Sequence, residues 1–225
     1  MSKFDYNVII IGGGSAGLVS AYIGSTVKAK VALIENHKMG GDCLNTGCIP
    51  SKALIRSTKI LSYIRRHQEF GIKSASAEFN FSEIMDRVQS IIKKIAPHDS
   101  IERYTNLGVN CFSGFAKILS PNQVAINEEI LTTKNIIIAT GAKPTIPAIR
   151  GLDKIDFLTT DNLWNIRELP KRFCILGGGP IGVELSQCFS RLGSKVTLVE
   201  MMANILTRED DEISYALRKS IEIEG

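Results

Sequence analysis

The chain has 225 residues, of which 44% are apolar, 7% aromatic and 22% charged, with a net charge of +4. That is enough for one large domain or two small ones, each with its own core, and Lys and Arg are too scattered to imply a nucleic-acid partner. No apolar run approaches a membrane span, and the start MSKFDYN lacks the apolar segment and cleavage site of a secretory leader, so a cytoplasmic setting is expected.

The first strong signal is VIIIGGGSAG, residues 8–17. A β-branched run ends in glycines. A helix-length segment follows over 15–28, and KVALIE, 30–35, reads as a second strand ending in Glu35. Strand, glycine turn, helix and strand make a βαβ unit, which favours a parallel sheet. Gly12, Gly14 and Gly17 fit GxGxxG, with Glu35 placed 23 residues after Gly12. In such a turn the first glycine permits the bend, the second lets backbone approach a pyrophosphate, and the third lets helix and strand pack closely. The phosphates sit at the helix N-terminus, and the acidic residue accepts from ribose hydroxyls.

Next comes GGDCLNTGCIPSK, residues 40–52. Cys43 and Cys48 could be half of a zinc site, but no second cysteine pair exists, and His37 and His67 are not spaced as ligands. Two inert cysteines are the bland reading. Its flanks argue against it: Gly40, Gly41 and Gly47 let backbone approach something flat or charged, and a cysteine at a helix start has its thiolate favoured. Pro50 is tolerated in a first turn, and Lys52 lies one turn beyond Cys48. A close cysteine pair in a cytoplasmic protein points to redox chemistry.

Residues 45–67 and 81–106 read as helices, with Ser82 as a candidate cap. His67 and His98 read as surface or cap residues. Short strands are expected in VNCFSGFAKI, QVAI and NIIIATG, between residues 109 and 141. Residues 144–170 are loop-rich, and Trp164 is expected to pack this linker against a domain face. Then the pattern repeats. FCILGGGPIG (173–182), a helix over 180–192 and KVTLVE (195–200) echo the first unit at a constant offset of 165. Gly177, Gly179, Gly182 and Glu200 match Gly12, Gly14, Gly17 and Glu35. Two dinucleotide sites imply one resident and one exchanging cofactor. Glu200 suits a free ribose 2′-hydroxyl and repels a 2′-phosphate, and MMANILT after it has no basic residue before Arg208, so NADH is expected over NADPH. Cys111, Cys174 and Cys188 read as core or interface cysteines. One more helix-like stretch, DDEISYALRKSIEIEG, ends the chain. Two strands do not make an independently stable sheet, so either a longer protein or a truncated reading frame is expected.

These four motifs in this order, with Ala139–Gly141 between the second and the last, resemble the class I pyridine nucleotide-disulfide oxidoreductases, the dihydrolipoamide dehydrogenase and mercuric reductase-like flavoproteins. Asp42 stands where the better-known members have Thr. The resemblance implies an α/β fold: a Rossmann-like FAD-binding domain (1–150), the start of a second Rossmann-like NAD-binding domain (151–225), and a C-terminal dimerisation domain lying outside these residues. It implies that Gly12, Gly14, Gly17, Glu35, Gly41, Thr140 and Gly141 hold FAD. Cys48 would be the charge-transfer thiol and Cys43 the interchange thiol, joined in a redox-active disulfide. Lys52 would sit near the flavin, paired with Glu184, and Gly177, Gly179, Gly182 and Glu200 would hold NAD. The implied substrate is a small disulfide, a dithiol or a metal ion, and the implied assembly a homodimer. Two other readings are kept as alternatives: a dinucleotide-binding fragment without turnover, and a flavin-dependent transhydrogenase, which the intact cysteine pair disfavours.

Overall fold

The computed structural model describes residues 3–224. In chain order the elements are β1 (Tyr6–Ile11), α1 (Ser15–Thr26), β2 (Val31–Glu35), α2 (Gly41–Asn45), α3 (Cys48–Arg65), α4 (Phe81–Ile95), α5 (Ile101–Asn106), β3 (Asn110–Ser113), β4 (Ala116–Ser120), β5 (Gln123–Ile126), β6 (Glu129–Ile138), β7 (Arg172–Leu176), α6 (Pro180–Leu192), β8 (Lys195–Val199) and α7 (Asp211–Glu222). Contacts divide the chain into two units. One runs to Pro50 and resumes over Ser90–Leu163; the other takes Ser51–Gln89 and the residues from Trp164 onward.

The first unit is built on a six-stranded sheet of order β3-β2-β1-β6-β5-β4. β3, β2, β1 and the C-terminal half of β6 are parallel. The sequence reading expected separate short strands here. Instead β6 is one ten-residue strand with two kinds of partner, since its first four residues pair antiparallel with β5. Neighbouring residues point to opposite faces. Ile10 and Leu33 meet Leu18 and Ala21 of α1 and Tyr104 of α5, while Ile9, Ala32 and Ile34 meet Val124, Ile126 and Leu131. Strands covered on both faces read as unbroken apolar runs, which is why VIII and VALI stand out in the sequence.

In the second unit β7 and β8 pair in parallel. α6 covers one face of the pair, and Phe189, fully buried, stacks at 4.3 Å on Phe173 and 6.2 Å on Phe81. Arg87 of α4 donates to the Ala53 carbonyl of α3 at 2.8 Å, and Gln89 donates to the carbonyl of the buried Trp164 at 3.0 Å. The other face of the strand pair is open. Cys174 lies on that face and is exposed, so it is not a core residue, whereas Cys188 is buried as expected. Burial pushes the Cys188 thiol up to about 11, against the pull of the Thr58 hydroxyl.

Two helix expectations need adjustment. The helix expected over 81–106 is three pieces, because Pro97 supports a 3-10 turn over Ala96–Asp99 between α4 and α5. The cap before α4 is Asn80, not Ser82: Asn80 Oδ1 accepts from both the Ser82 amide and the Ser82 hydroxyl at 2.9 Å. Asn80 offers a carboxamide oxygen one residue ahead of the helix, where a cap belongs.

Candidate active site: two glycine turns and a cysteine pair

The first turn joins β1 to α1. Gly12 has φ +111°, and a methyl group there would overlap the Ala139 carbonyl oxygen. A methyl on Gly17 would overlap the Gly12 carbonyl oxygen, so this glycine is what lets α1 lie against β1. Gly14 caps α1 with no side-chain hydrogen bond, and the first turn of the helix carries no acidic residue. The amides at that end are therefore left for an anion. These residues fit the pyrophosphate of a dinucleotide.

The second turn repeats the backbone geometry of the first. Gly177 has φ +107°, a methyl on Gly182 would overlap the Gly177 carbonyl oxygen, and Gly179 caps α6 without a side chain. The acidic residues repeat too. Glu35 accepts from the Gly13 amide at 2.6 Å and the His37 amide at 2.6 Å. Glu200 accepts from the Gly178 amide at 2.7 Å and the Met202 amide at 2.9 Å. Each carboxylate ties the middle of its glycine turn to the loop after the next strand. The Met202 amide foremost, and then the Gly178 amide, hold the Glu200 carboxyl below the usual glutamate range. Both carboxylates keep lone pairs for ribose hydroxyls.

The cysteine stretch folds onto the first turn. Gly40 takes φ +86° and donates its amide to the Gly13 carbonyl at 2.8 Å. A methyl on Gly41 would come within 2.6 Å of Gly14 Cα. Asn45 holds α2 in place by donating to the Met39 and Gly41 carbonyls at 3.0 and 2.8 Å. Cys43 lies on α2 and Cys48 is the first residue of α3. Both are thiols, half-buried and exposed respectively, and Cys48 stands near enough to act on the Cys43 thiol. Burial pushes the Cys43 thiol up, the Cys48 contact adds to this, the Ser15 side chain pulls the other way, and the Asp99 charge raises it further. Thr140 and Gly141 follow Ala139 against Gly12, and Gly141 at φ +70° has Asp42 Oδ2 4.0 Å from where its Cβ would stand. Asp42 itself reaches Thr46 at 3.4 Å.

Lys52 is one turn along α3 from Cys48, and its ammonium lies 2.7 and 3.0 Å from the two Glu184 oxygens. The side chains are 60% and 38% exposed, so the pair adds little to stability and instead fixes where the charge stands. Among the described residues no group of three or more His, Cys, Asp and Glu could hold a metal ion, and no helix is long and apolar enough to cross a membrane. Ser15, Asp99, Gly13 and Gly178 were missed by sequence reasoning. Gly13 and Gly178 were visible as the middle of GGG. Ser15 carried no signal, since serine at a helix start is commonplace.

Comparison with known proteins defines the class. The profile of the pyridine nucleotide-disulphide oxidoreductases matches residues 6–225. This chain belongs to that family. It is 40% identical over 230 residues to dihydrolipoyl dehydrogenase of Acholeplasma laidlawii, covering 100% of this chain and 68% of that protein. It is 34% identical over 223 residues to mercuric reductase of Bacillus cereus, covering 99% of this chain and 35% of the relative. Among solved structures, the HOCl-induced flavoprotein disulfide reductase RclA from Escherichia coli superposes with a TM-score of 0.82 at 28% identity, over 98% of this chain and 48% of that one. A Cu(II) complex of RclA matches with a TM-score of 0.81. The chain thus spans from about a third to two thirds of the length of these proteins.

Proposed function

We propose that these residues carry the dinucleotide-binding and thiol-bearing parts of an FAD-dependent oxidoreductase that links NADH to a small disulfide, dithiol or thiophilic metal-ion substrate. The observation that carries this reading is the segment bearing the thiols of Cys43 and Cys48, which packs on the first glycine turn through Gly40 and Gly41. Residues 1–150 are assigned to FAD, held by Gly12, Gly14, Gly17, Glu35, Gly41, Thr140 and Gly141. Residues 151–225 are assigned to NADH, held by Gly177, Gly179, Gly182 and Glu200. Flavin, when bound, supplies the two-electron link between nicotinamide and sulfur.

The chain's own part is thiol exchange. Cys43, as thiolate, attacks one sulfur of a substrate disulfide, and the other substrate sulfur leaves and takes up a proton. Cys48, having given up its proton, then attacks Cys43, closing the Cys43–Cys48 bond and releasing the second substrate thiol. The substrate is reduced by two electrons and the cysteine pair oxidised by two. Cys48 is assigned the flavin-facing role, and Lys52, held by Glu184, a fixed positive charge near the flavin. The proposed enzyme is a cytoplasmic homodimer. The mercuric reductase relative and the Cu(II) complex of RclA support including metal ions among the substrates.

Oxidant titration tests the thiol assignment. The reduced chain is treated with diamide in steps and mapped by peptide mass spectrometry. The Cys43–Cys48 crosslink is expected first, ahead of any bond involving Cys111, Cys174 or Cys188. Oxidation that begins elsewhere rejects the reading.

A further inference from the structure

We propose that Leu206 is a positioning residue for Glu200: its amide, presented from a left-handed backbone, clasps the loop after β8 onto the second glycine turn and so fixes where the carboxylate stands. The inference rests on the reading of this turn as a dinucleotide site.

The loop after β8 is tied to the turn at both ends. At its start, Glu200 accepts from the Gly178 amide at 2.7 Å. At its end, Leu206 donates its amide to the Gly178 carbonyl at 2.8 Å. One glycine is thus held through both of its backbone polar groups. Ile205, buried, lies over it: a methyl on Gly178 would come 3.0 Å from Ile205 Cγ2. Ser214 of α7, buried as well, donates its hydroxyl to the Ile205 carbonyl and anchors the end of the loop. The second bond of the carboxylate goes to the Met202 amide at 2.9 Å, inside the same loop. Both amides that orient Glu200 therefore belong to backbone that Leu206 closes into a ring.

Holding Leu206 there costs free energy. Its φ is +50°, in the left-handed region that side chains other than glycine and asparagine disfavour. Among the described residues, two other non-glycine residues have positive φ. Lys28 lies just past the end of α1, and Asn127 lies in the tight turn between β5 and β6, where such backbone is common. Leu206 stands at neither a helix end nor a hairpin tip. Strain of this kind persists where surrounding contacts over-determine it, and it gathers at ligand clamps. The internal repeat identifies the contact being kept. Gly40, with φ +86°, donates to the Gly13 carbonyl at 2.8 Å, and Met39 Sδ approaches Gly13 as Ile205 approaches Gly178. Leu206 follows Gly40 by 166 residues, one more than the motif offset. The first turn makes its clasp with a glycine, for which this backbone is free of strain. The second makes the same clasp with a leucine and bears the strain.

The test follows the Glu200 carboxyl by NMR in a chain carrying isotope-labelled glutamate, assigned with Glu200→Gln. The Met202 amide, and then the Gly178 amide, hold this carboxyl below the usual glutamate range. Leu206→Pro removes the amide and cannot take a positive φ, so its Glu200 midpoint is expected to rise towards that of an ordinary glutamate. Leu206→Gly keeps the amide, takes the backbone without strain and is expected to hold the parent midpoint. An unmoved midpoint in Leu206→Pro overturns the proposal. Equal rises in both variants also overturn it, because they trace the effect to the lost side chain. If Leu206→Pro does not fold, Ser214→Ala takes its place, since it frees the Ile205 carbonyl and leaves the Leu206 backbone unchanged. A raised midpoint there supports the clasp, and an unmoved one overturns it. NADH titration is scored separately. The clasp-breaking variant is expected to raise Kd about tenfold, the worth of one hydrogen bond to a charged group, with Leu206→Gly at the parent value. An unchanged Kd in the clasp-breaking variant overturns the role in the site. Absence of NADH binding by the parent chain would reject the nucleotide reading, while the carboxyl midpoints would still report on Leu206.

Discussion

Glu200 has two tasks that a sequence motif cannot separate. As the acidic residue after the second strand it is the one proposed for the ribose, and in the fold it accepts from Gly178 and Met202. Its folded pKa lies below that of an unfolded glutamate. Its contribution to stability is therefore fully present above the unfolded value and is lost as pH falls through the folded one. Glu200→Gln is expected to flatten the acid limb of a plot of Tm against pH, below the ordinary glutamate range. An acid limb identical to that of the parent would show the carboxylate contributes nothing there. In the proposed function the anchored charge would also select the cofactor, since a fixed carboxylate repels a 2′-phosphate. A preference for NADH over NADPH of about tenfold or more is expected in affinity or kcat/KM. Glu200→Ala should narrow that ratio while weakening both cofactors, because the loop loses its tie. An unchanged ratio would move selection to another residue. The glycines and Glu200 were legible because their spacing along one βαβ unit is local. The seating of Gly40 and Gly41 on Gly13 and Gly14 was not, because those partners are chosen by tertiary packing.

Among elements, the second unit depends on a few aromatic contacts. Phe189 of α6 lies between Phe173 of β7 and Phe81 of α4, with no exposure to solvent. Phe189→Ala should destabilise by about 3–5 kcal/mol through lost transfer energy and a cavity, measured by urea unfolding. A loss under 1 kcal/mol would mean the neighbours collapse into the space. The helical periodicity of FSEIMDRVQSIIKKI was readable because Phe81, Met85 and Val88 fall on one buried face. Where that helix stops was less readable. Pro97 can start a 3-10 turn as well as end a helix, and the sequence does not say which. β6 shows a different limit. Its Ile-rich end pairs in parallel and reads as a strand, whereas its first four residues, EILT, pair antiparallel with β5 and gave no strand expectation of their own.

Across the whole molecule, the offset of 165 extends from sequence to hydrogen bonds. Gly13 and Gly178 each give their amide to the paired glutamate, and Gly12 and Gly177 share nearly the same positive φ. The two turns differ in what lies behind them. Gly12 backs onto Ala139 and Thr140 at the end of β6, while nothing stands within 4 Å of the position a methyl on Gly177 would take. Twin substitutions therefore separate two effects that a single variant would mix. Gly12→Ala and Gly177→Ala carry the same left-handed backbone penalty, roughly 1–2 kcal/mol. Only Gly12→Ala also forces the β6 end away, adding about 1–3 kcal/mol of overpacking. Chemical unfolding should show a larger loss for Gly12→Ala by that difference. The same variant should retain less FAD after gel filtration, since Thr140 and Gly141 move with Ala139. Equal losses from the twins would show that the β6 end yields freely, and that the covering segment does not hold the first turn in shape.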